Sequence, residues 1–406
     1  MAFRTLADAD LAGKRALVRV DFNVPMEAGR VSDDTRLRAA LPTIEALRQG
    51  GAKVILISHF DRPKGRRVAS MSLAPIAQPL AALLGWPVVF AADCIGQAAK
   101  AVVDALAPGD VVLLENLRFH PGEEANDRDF GLELAELGDI YVNDAFSTAH
   151  RAHTSTEGLA HIMPAYAGEA MRAELEALEA ALGNPQRPVL GIVGGSKVST
   201  KLDLLDNLVG KLDRLAIGGG MANTFLAAQG FDVGASMCEH DLGETAREIM
   251  ATAARAGCEI LLPIDVVTAQ AVEPNIATAL RQMGAIEAGD RILDAGPRTL
   301  ERLLAAMASS RTLIWNGPLG VFEVPPFDAG TVAAARQAAD LAKSGALVAV
   351  AGGGDTVSAL NHAGVTDDFT YVSTAGGAFL EWMEGKTLPG VAALESRPMD
   401  ASPRRP

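Results

Sequence analysis

Short aliphatic or β-branched runs ending in Gly, Asp, Asn or His, each leading into an Ala/Leu-rich stretch, recur from end to end of this 406-residue chain. They are ALVRVDFNVP (16–25), KVILISH (53–59), DVVLLENLRF (110–119), DIYVNDAF (139–146), PVLGIVGG (188–195), RLAIGGG (214–220), EILLPIDVV (259–267), TLIWNGPLG (312–320), ALVAVAGGGD (346–355) and TYVSTAGGA (370–378). Runs that are apolar throughout, rather than alternating, belong to strands buried on both faces. Their alternation with helical stretches predicts βαβ units and parallel sheets. Ten such strands are many for one open sheet, and roughly 100–200 residues make a domain. The expected fold class is therefore α/β, with two doubly wound parallel-sheet (Rossmann-like) domains. PAYAGEAMRAELEALEAALGNPQRP (164–188) is rich in good helix formers and is stopped by Gly183, Asn184 and Pro185. It predicts a long helix bridging the two lobes. The last residues, ESRPMDASPRRP, read as a frayed tail.

Composition narrows the function. Lys and Arg total 36 against 50 Asp and Glu, a formal charge of −14, which argues against general nucleic-acid or anionic-membrane binding. The three cysteines, Cys94, Cys238 and Cys258, show no C-x-x-C spacing, which argues against a disulfide framework or a structural zinc site. The first residues carry early acids and no unbroken apolar core, so no signal peptide is expected. A cytoplasmic enzyme or binding protein is the expectation.

In open parallel α/β sheets, ligands bind beyond the carboxyl ends of the strands. In the first half these tips are polar and basic: Asp21 and Asn23, His59 and Arg62, Arg118 and His120, then Asn143, Asp144, His150, Arg151 and His153. Arginines converging from several strand ends suit a phosphate plus a carboxylate, because the guanidinium grips both through paired, charge-assisted bonds. The plainer alternative is that each is solvated or paired with a nearby acid. HRAH (150–153) offers two histidines, but without an acidic or Cys partner at ligand spacing it fits an anion better than zinc.

In the second half the tips are glycine: 194–195, 218–220, 352–354 and 376–377. Glycine between a strand and a helix lets backbone N–H groups approach phosphate oxygens. GGSKVSTK (194–201) adds Lys197 and Lys201 near the start of a helix expected over 199–210. Neither GxxxxGK[ST] nor G-x-G-x-x-G occurs at these clusters, which disfavours an NAD-dependent dehydrogenase. Asp355, directly after a glycine run, is placed to hold Mg²⁺ on a nucleotide or to cap a helix, and the roles are compatible. Glu323 is a candidate for ribose hydroxyls, and Trp315 reads as core.

Taken together, these tips resemble the phosphoglycerate kinases over nearly the whole chain. The resemblance runs from VRVDFNVP (18–25) through TRLRAALPTI (35–44), SHFDRP (58–63), LLENLRFHPGEE (113–124), YVNDAFSTAHRAHTST (141–156), GIVGGSKVSTKLDLL (191–205), IGGGMANTF (217–225), IWNGPLGVFE (314–323), GGGDT (352–356) and STAGGA (373–378) to EGKTLPGVAAL (384–394). It implies a triose-phosphate-binding domain over 1–165 plus 385–406. It also implies a nucleotide-binding domain over 166–384, with a hinge helix at about 166–183.

The substrates implied are 3-phosphoglycerate or 1,3-bisphosphoglycerate, and ATP or ADP with Mg²⁺, acted on by a monomer. The triose site would be Asp21, Asn23, Arg36, His59, Arg62, Arg118 and Arg151. The nucleotide side would use Lys197, Lys201, Gly219, Leu293, Asn316, Glu323, Gly353, Gly354, Asp355 and Thr356, with Asp355 on the metal. Arg36, Lys197 and Lys201 would be catalytic, meeting at the transferring phosphoryl group only when the lobes close. Asp61, Ser147 and Ala375 stand where the family pattern usually has glycine. The rival reading is a non-catalytic two-lobed binding protein.

Overall fold

Lys53–Ile57 shows why the runs become strands: its four apolar residues are buried on both faces of the sheet, a position open only to a strand covered by helices above and below. The computed structural model describes residues 3–395. The expected tail at 396–406 lies outside the described residues. The strands are β1 (Arg15–Arg19), β2 (Met26–Glu27), β3 (Arg30–Val31), β4 (Lys53–Ile57), β5 (Val88–Ala91), β6 (Val111–Leu114), β7 (Ile140–Asn143), β8 (Ala165–Ala167), β9 (Val189–Val193), β10 (Arg214–Ile217), β11 (Glu259–Leu261), β12 (Asp265–Ala269), β13 (Ala279–Gln282), β14 (Arg291–Ala295), β15 (Thr312–Asn316), β16 (Val348–Gly352) and β17 (Tyr371–Ser373).

The chain divides into two compact units, 3–175 with 387–395, and Glu176–Lys386. The first unit holds a six-stranded sheet in the order β5-β6-β4-β1-β7-β8, all parallel. The second holds a six-stranded parallel sheet in the order β11-β10-β9-β15-β16-β17. In both, the strand order reverses direction beside the central strands, leaving crevices at the carboxyl ends.

Helices cover the sheets through apolar stripes. In Thr35–Gln49, Leu37, Ala40, Ile44 and Leu47 are buried at helical spacing, and each fully buried Leu or Ile contributes about 1.5–3 kcal/mol. The Asp33 carboxylate accepts from the Thr35 backbone N–H at 2.8 Å, an Asx contact at this helix's start. This helix carries Arg36 on its first turn. In the second unit, Leu303 and Met307, Ala334, Ala335 and Ala338, and Leu360 share one buried hydrophobic cluster with Trp315, which is 1% exposed and core as expected.

Several expectations needed correction. Val88–Ala91 and Ala165–Ala167 are strands that complete the first sheet; both are short, and the second lies in a segment read as helix. The bridging helix therefore starts at Glu169 and runs to Leu178, with a π-helical turn over Glu179–Gly183. The boundary between the units falls inside it, after Leu175, and the chain returns to the first unit after Lys386. Leu388, Val391 and Leu394 are buried, and the Gly390 N–H donates to the Ala149 carbonyl at 2.8 Å.

The run 259–267 is cut at Pro263 into β11, in the parallel sheet, and β12, in an antiparallel sheet ordered β13-β12-β14. The cut has a local cause: proline cannot donate to a ladder. β13 is half exposed along its length, so it carries no apolar run to betray it. The helix expected over 199–210 is Leu202–Val209, preceded by a single 3₁₀ turn at Val198–Thr200. Among the described residues, no helix is long and apolar enough to cross a membrane.

Candidate active site

The first unit gathers cations at the carboxyl ends of β1, β4 and β7 and in the loop after β6. His59, 3% exposed, follows β4. Its Nδ1 lies 3.1 Å from Arg19 Nη2, and because a guanidinium can only donate, Nδ1 is the acceptor and the imidazole is neutral. Burial pushes its pKa well down, and Arg19, Arg118, Arg151 and Arg36 push it further in the same direction. Four arginines thus act on one ring. Arg118 is 5% exposed and donates to the Asp61 carbonyl at 2.7 Å, with Glu124 at 3.3 Å from its Nε. Arg151 Nε lies 3.2 Å from His150 Nε2. Burial, then Arg19 and Arg62, lower the Arg151 pKa. His153 is driven to about 4 by burial and then by Arg118, Arg151 and Arg19. Such mutual repulsion favours a bound anion, which would neutralise several of these charges at once.

Asp21 is the counterweight. Its Oδ2 lies 3.0 Å from Arg36 Nη1 and accepts from Ser147 Oγ at 2.5 Å. Arg36 Nη1 also donates to the Asn23 carbonyl at 2.8 Å. Asn23 Oδ1 in turn accepts the Asp61 N–H at 2.9 Å. Asp61 has φ +53°, the left-handed region where glycine is at ease, and its exposed side chain uses the Asx tolerance of that conformation. Arg36 thus joins Asp21 and Asn23, Arg118 reaches Asn23 through Asp61, and His59 Nδ1 lies 3.9 Å from Asp21 Oδ1, while Arg151 acts on this set through charge and Arg62 stands exposed at the rim.

The second unit presents a cavity of about 360 Å³, lined among others by Gly195, Gly219, Asn223, Leu293, Glu323 and Asp355. Its floor is backbone on backbone. A Cβ at Gly219 would stand 2.7 Å from the Gly195 carbonyl oxygen, and one at Gly220 2.6 Å from the Ser196 oxygen, so no side chain fits there. Lys201 Nζ donates to the Gly194 carbonyl at 2.6 Å and to Asn316 Oδ1 at 2.6 Å. Burial lowers its pKa to about 8, against the opposing pull of Asp355. Asn316 and Thr356 are buried braces: Asn316 Nδ2 donates to the Gly352 carbonyl, and Thr356 Oγ1 accepts the Gly317 N–H. Lys197 is exposed on the loop ahead of the 3₁₀ turn.

Gly353, at φ +95°, caps the helix Gly354–Ala363. Asp355 is therefore in its first turn rather than at its cap, exposed beside a Gly354 with no neighbour within 4 Å of an added Cβ. A carboxylate at an open helix N-terminus beside a cradle of bare backbone fits a hydrated Mg²⁺ on a phosphate chain. The buried Asn223 Oδ1 has no hydrogen-bond partner among the described residues, leaving an acceptor in the cavity wall. Gly376–Ala378 starts another helix, and Ala375 is 9% exposed, its N–H on Ser373 Oγ.

The family model for phosphoglycerate kinase matches residues 6–386. The chain belongs to the phosphoglycerate kinase family. It is 72% identical over 396 residues to the phosphoglycerate kinase of Caulobacter vibrioides (strain NA1000 / CB15N), covering 98% of this chain and 100% of that one. It is 61% identical over 397 residues to that of Zymomonas mobilis, covering 98% and 100%. The structure of phosphoglycerate kinase from Coxiella burnetii superposes with a TM-score of 0.89 at 41% identity, covering 97% of this chain and 98% of that one. That from Pyrococcus horikoshii OT3 gives 0.78 at 31%, covering 96% and 98%. Phosphoglycerate kinase is a phosphotransferase, and the dehydrogenase and pure-binder readings fall away.

Sequence reasoning passed over Arg19, Ser147 as a donor to Asp21, and Asp294. Arg19 is 1% exposed and donates to Ser155 Oγ at 2.8 Å. A charge inside an otherwise apolar run was the available signal. Asp294 lines the cavity, and burial raises its pKa to about 7.

Proposed function

We propose that the arginine cluster of the first unit takes 3-phosphoglycerate or 1,3-bisphosphoglycerate, that the glycine-floored cavity of the second takes Mg-ATP or Mg-ADP, and that closure between the units brings them together. The observation that carries this reading is the pairing of two chemistries. One unit sets four arginines around a neutral His59. The other offers a cavity whose floor is too tight for any Cβ and which holds an exposed Asp355.

In the ATP-consuming direction, a carboxylate oxygen of 3-phosphoglycerate bonds to the γ-phosphorus. The bond from that phosphorus to the bridging oxygen breaks, and ADP leaves with the electron pair. The acceptor is already anionic, so no general base is needed. Asp355 would hold Mg²⁺ on the nucleotide, where the ion would offset phosphate charge. Arg36 from one unit, with Lys197 and Lys201 from the other, would stabilise the in-line transition state. Closure at the helix Glu169–Leu178 and its π-helical turn, a feature frequent at functional bends, would exclude water from the donor. The acidic balance argues against nucleic-acid and anionic-membrane partners, and family membership supports a cytoplasmic enzyme acting as a monomer.

A coupled assay with ATP, Mg²⁺ and 3-phosphoglycerate tests this. Turnover dependent on all three is expected. Saturable binding of both substrates with no turnover would overturn it.

A further inference from the structure

We propose that Asp93, Cys94 and His120 form a site for one divalent cation of zinc-like softness, apart from the Mg-nucleotide region. The three come from segments following the neighbouring strands β5 and β6, so no sequence spacing announces them. One ligand atom from each, a carboxylate oxygen, a thiol sulfur and an imidazole nitrogen, lies within 4.8 Å of the other two. A tetrahedral zinc site has bonds of about 2.0–2.3 Å, so these atoms need to move by only about an ångström to embrace an ion.

Each donor is held from behind. The His120 ring stacks on Phe130, with centroids 5.3 Å apart and planes at 23°, while its Nε2 faces Asp93 Oδ1 at 2.7 Å. Asp93 Oδ1 also accepts the Cys94 N–H at 2.8 Å, and its other oxygen lies 3.6 Å from Arg67. That outer contact is the kind that orients a metal-bound carboxylate. The Cys94 side chain is 0% exposed, and among the described residues its sulfur makes no hydrogen bond that would be lost on coordination. Asp93 and His120 are only half-buried, which leaves an approach for the ion and a fourth position for water.

The surroundings suit a cation. The carboxylates of Asp93, Glu123 and Glu115 lie near enough to the sulfur to act on it, and a positive ion beside it offsets their charge. Thiolate and imidazole select zinc-like metals over Mg²⁺. On binding, the ion replaces the thiol proton, which passes to the buffer, while the imidazole keeps its one proton on the nitrogen that does not bind, so affinity rises with pH.

Cobalt(II) chloride titrated into the full-length protein, stripped with a chelator and kept free of oxygen, is the test. A thiolate-to-cobalt charge-transfer band saturating at one equivalent is expected, with visible bands of four-coordinate intensity. One equivalent of Zn²⁺ should abolish it, and excess Mg²⁺ should not. Cys94→Ala should remove the band, His120→Asn should weaken binding at least about tenfold, and Cys238→Ser should leave it intact. Absence of the band in the unsubstituted protein overturns the proposal. So does its survival in Cys94→Ala or its loss in Cys238→Ser. If Cys94→Ala does not fold, the partly exposed His120→Asn decides, and unchanged cobalt affinity there also overturns the site.

Discussion

Arg36 Nη1 stands 3.0 Å from Asp21 Oδ2 and 2.8 Å from the Asn23 carbonyl, so the guanidinium is aimed before any substrate arrives. The aiming is done by the β1–helix connection, since Asp21 and Asn23 follow β1 and Arg36 sits on the first turn of Thr35–Gln49. Pre-aimed cations lose little on reaching the transition state, because their ordering has been completed in folding.

Arg36→Ala should therefore lower kcat by about 10³-fold or more, the scale seen when a phosphoryl-stabilising arginine is removed. Nucleotide affinity should stay within about twofold, since Arg36 belongs to the other unit. Steady-state kinetics and ATP titration check it; a kcat within a few-fold of the unsubstituted enzyme removes Arg36 from the mechanism.

Asp355→Ala should weaken Mg-nucleotide binding by about tenfold or more while changing triose affinity little, because the carboxylate is exposed in the cavity of the second unit and Mg²⁺ relies on few protein ligands. Calorimetric titration of each substrate separately would distinguish this from the reverse pattern, which would exchange the roles of the two units.

How much of this was legible in the sequence depends on where each signal lies. The strand tips were legible, because parallel strands buried on both faces leave unbroken apolar runs whose ends carry the chemistry. β5 and β8 were not: WPVVFAAD is short and half-exposed, and PAYA leads into a strong helix former. The antiparallel strands were hidden because β13 has alternating exposure and β14 a bulged partner. Among site residues, Asp21, His59 and Arg118 could be read from the strand ends. The inward role of Asn316 could not, since nothing local says that its amide spans Lys201 and the Gly352 carbonyl.

Ser147 donates to Asp21 at 2.5 Å, sharing the carboxylate oxygen that faces Arg36. Ser147→Ala returns that oxygen wholly to Arg36. A KM change for 3-phosphoglycerate of less than about fivefold, with kcat unaltered, is expected for the loss of one hydrogen bond to a partly solvated carboxylate. A large fall in kcat would instead make the hydroxyl part of the machinery.

Lys201 should give the activity a basic limb. Burial lowers its pKa to about 8, and its three protons are needed for the Gly194 and Asn316 acceptors or for a phosphate. kcat/KM for ATP should therefore fall as pH rises through about 8. A bound phosphate favours the charged form, so the limb in kcat should lie at higher pH. Lys201→Arg, which stays protonated, should lose this limb even where its rate is low. A flat profile from pH 7 to 10 in the unsubstituted enzyme would contradict the assignment.

Asp144 makes stability fall with rising pH. It is buried at the start of the helix that joins the units. Oδ1 accepts the Ala170 and Met171 N–H groups at 2.9 and 3.2 Å, while Oδ2 has no hydrogen-bond partner among the described residues. Burial raises its pKa to about 7, outweighing the Thr43 hydroxyl and the two backbone donors. A folded pKa above the unfolded one means that the native state holds the proton more tightly. The stabilisation is complete below the unfolded value near 4 and is lost as pH rises through about 7. Asp294, also at about 7 through burial, acts in the same direction.

Asp144→Asn keeps the acceptor and places an NH₂ where the unpartnered oxygen stood, so it imitates the protonated acid. Its unfolding midpoint in urea should match or exceed that of the unsubstituted protein at pH 8. The decline in stability between pH 5 and 8 should become shallower, leaving the share due to Asp294. A variant that is less stable at pH 8, with the slope unchanged, would mean that Asp144 is ionised in the native fold.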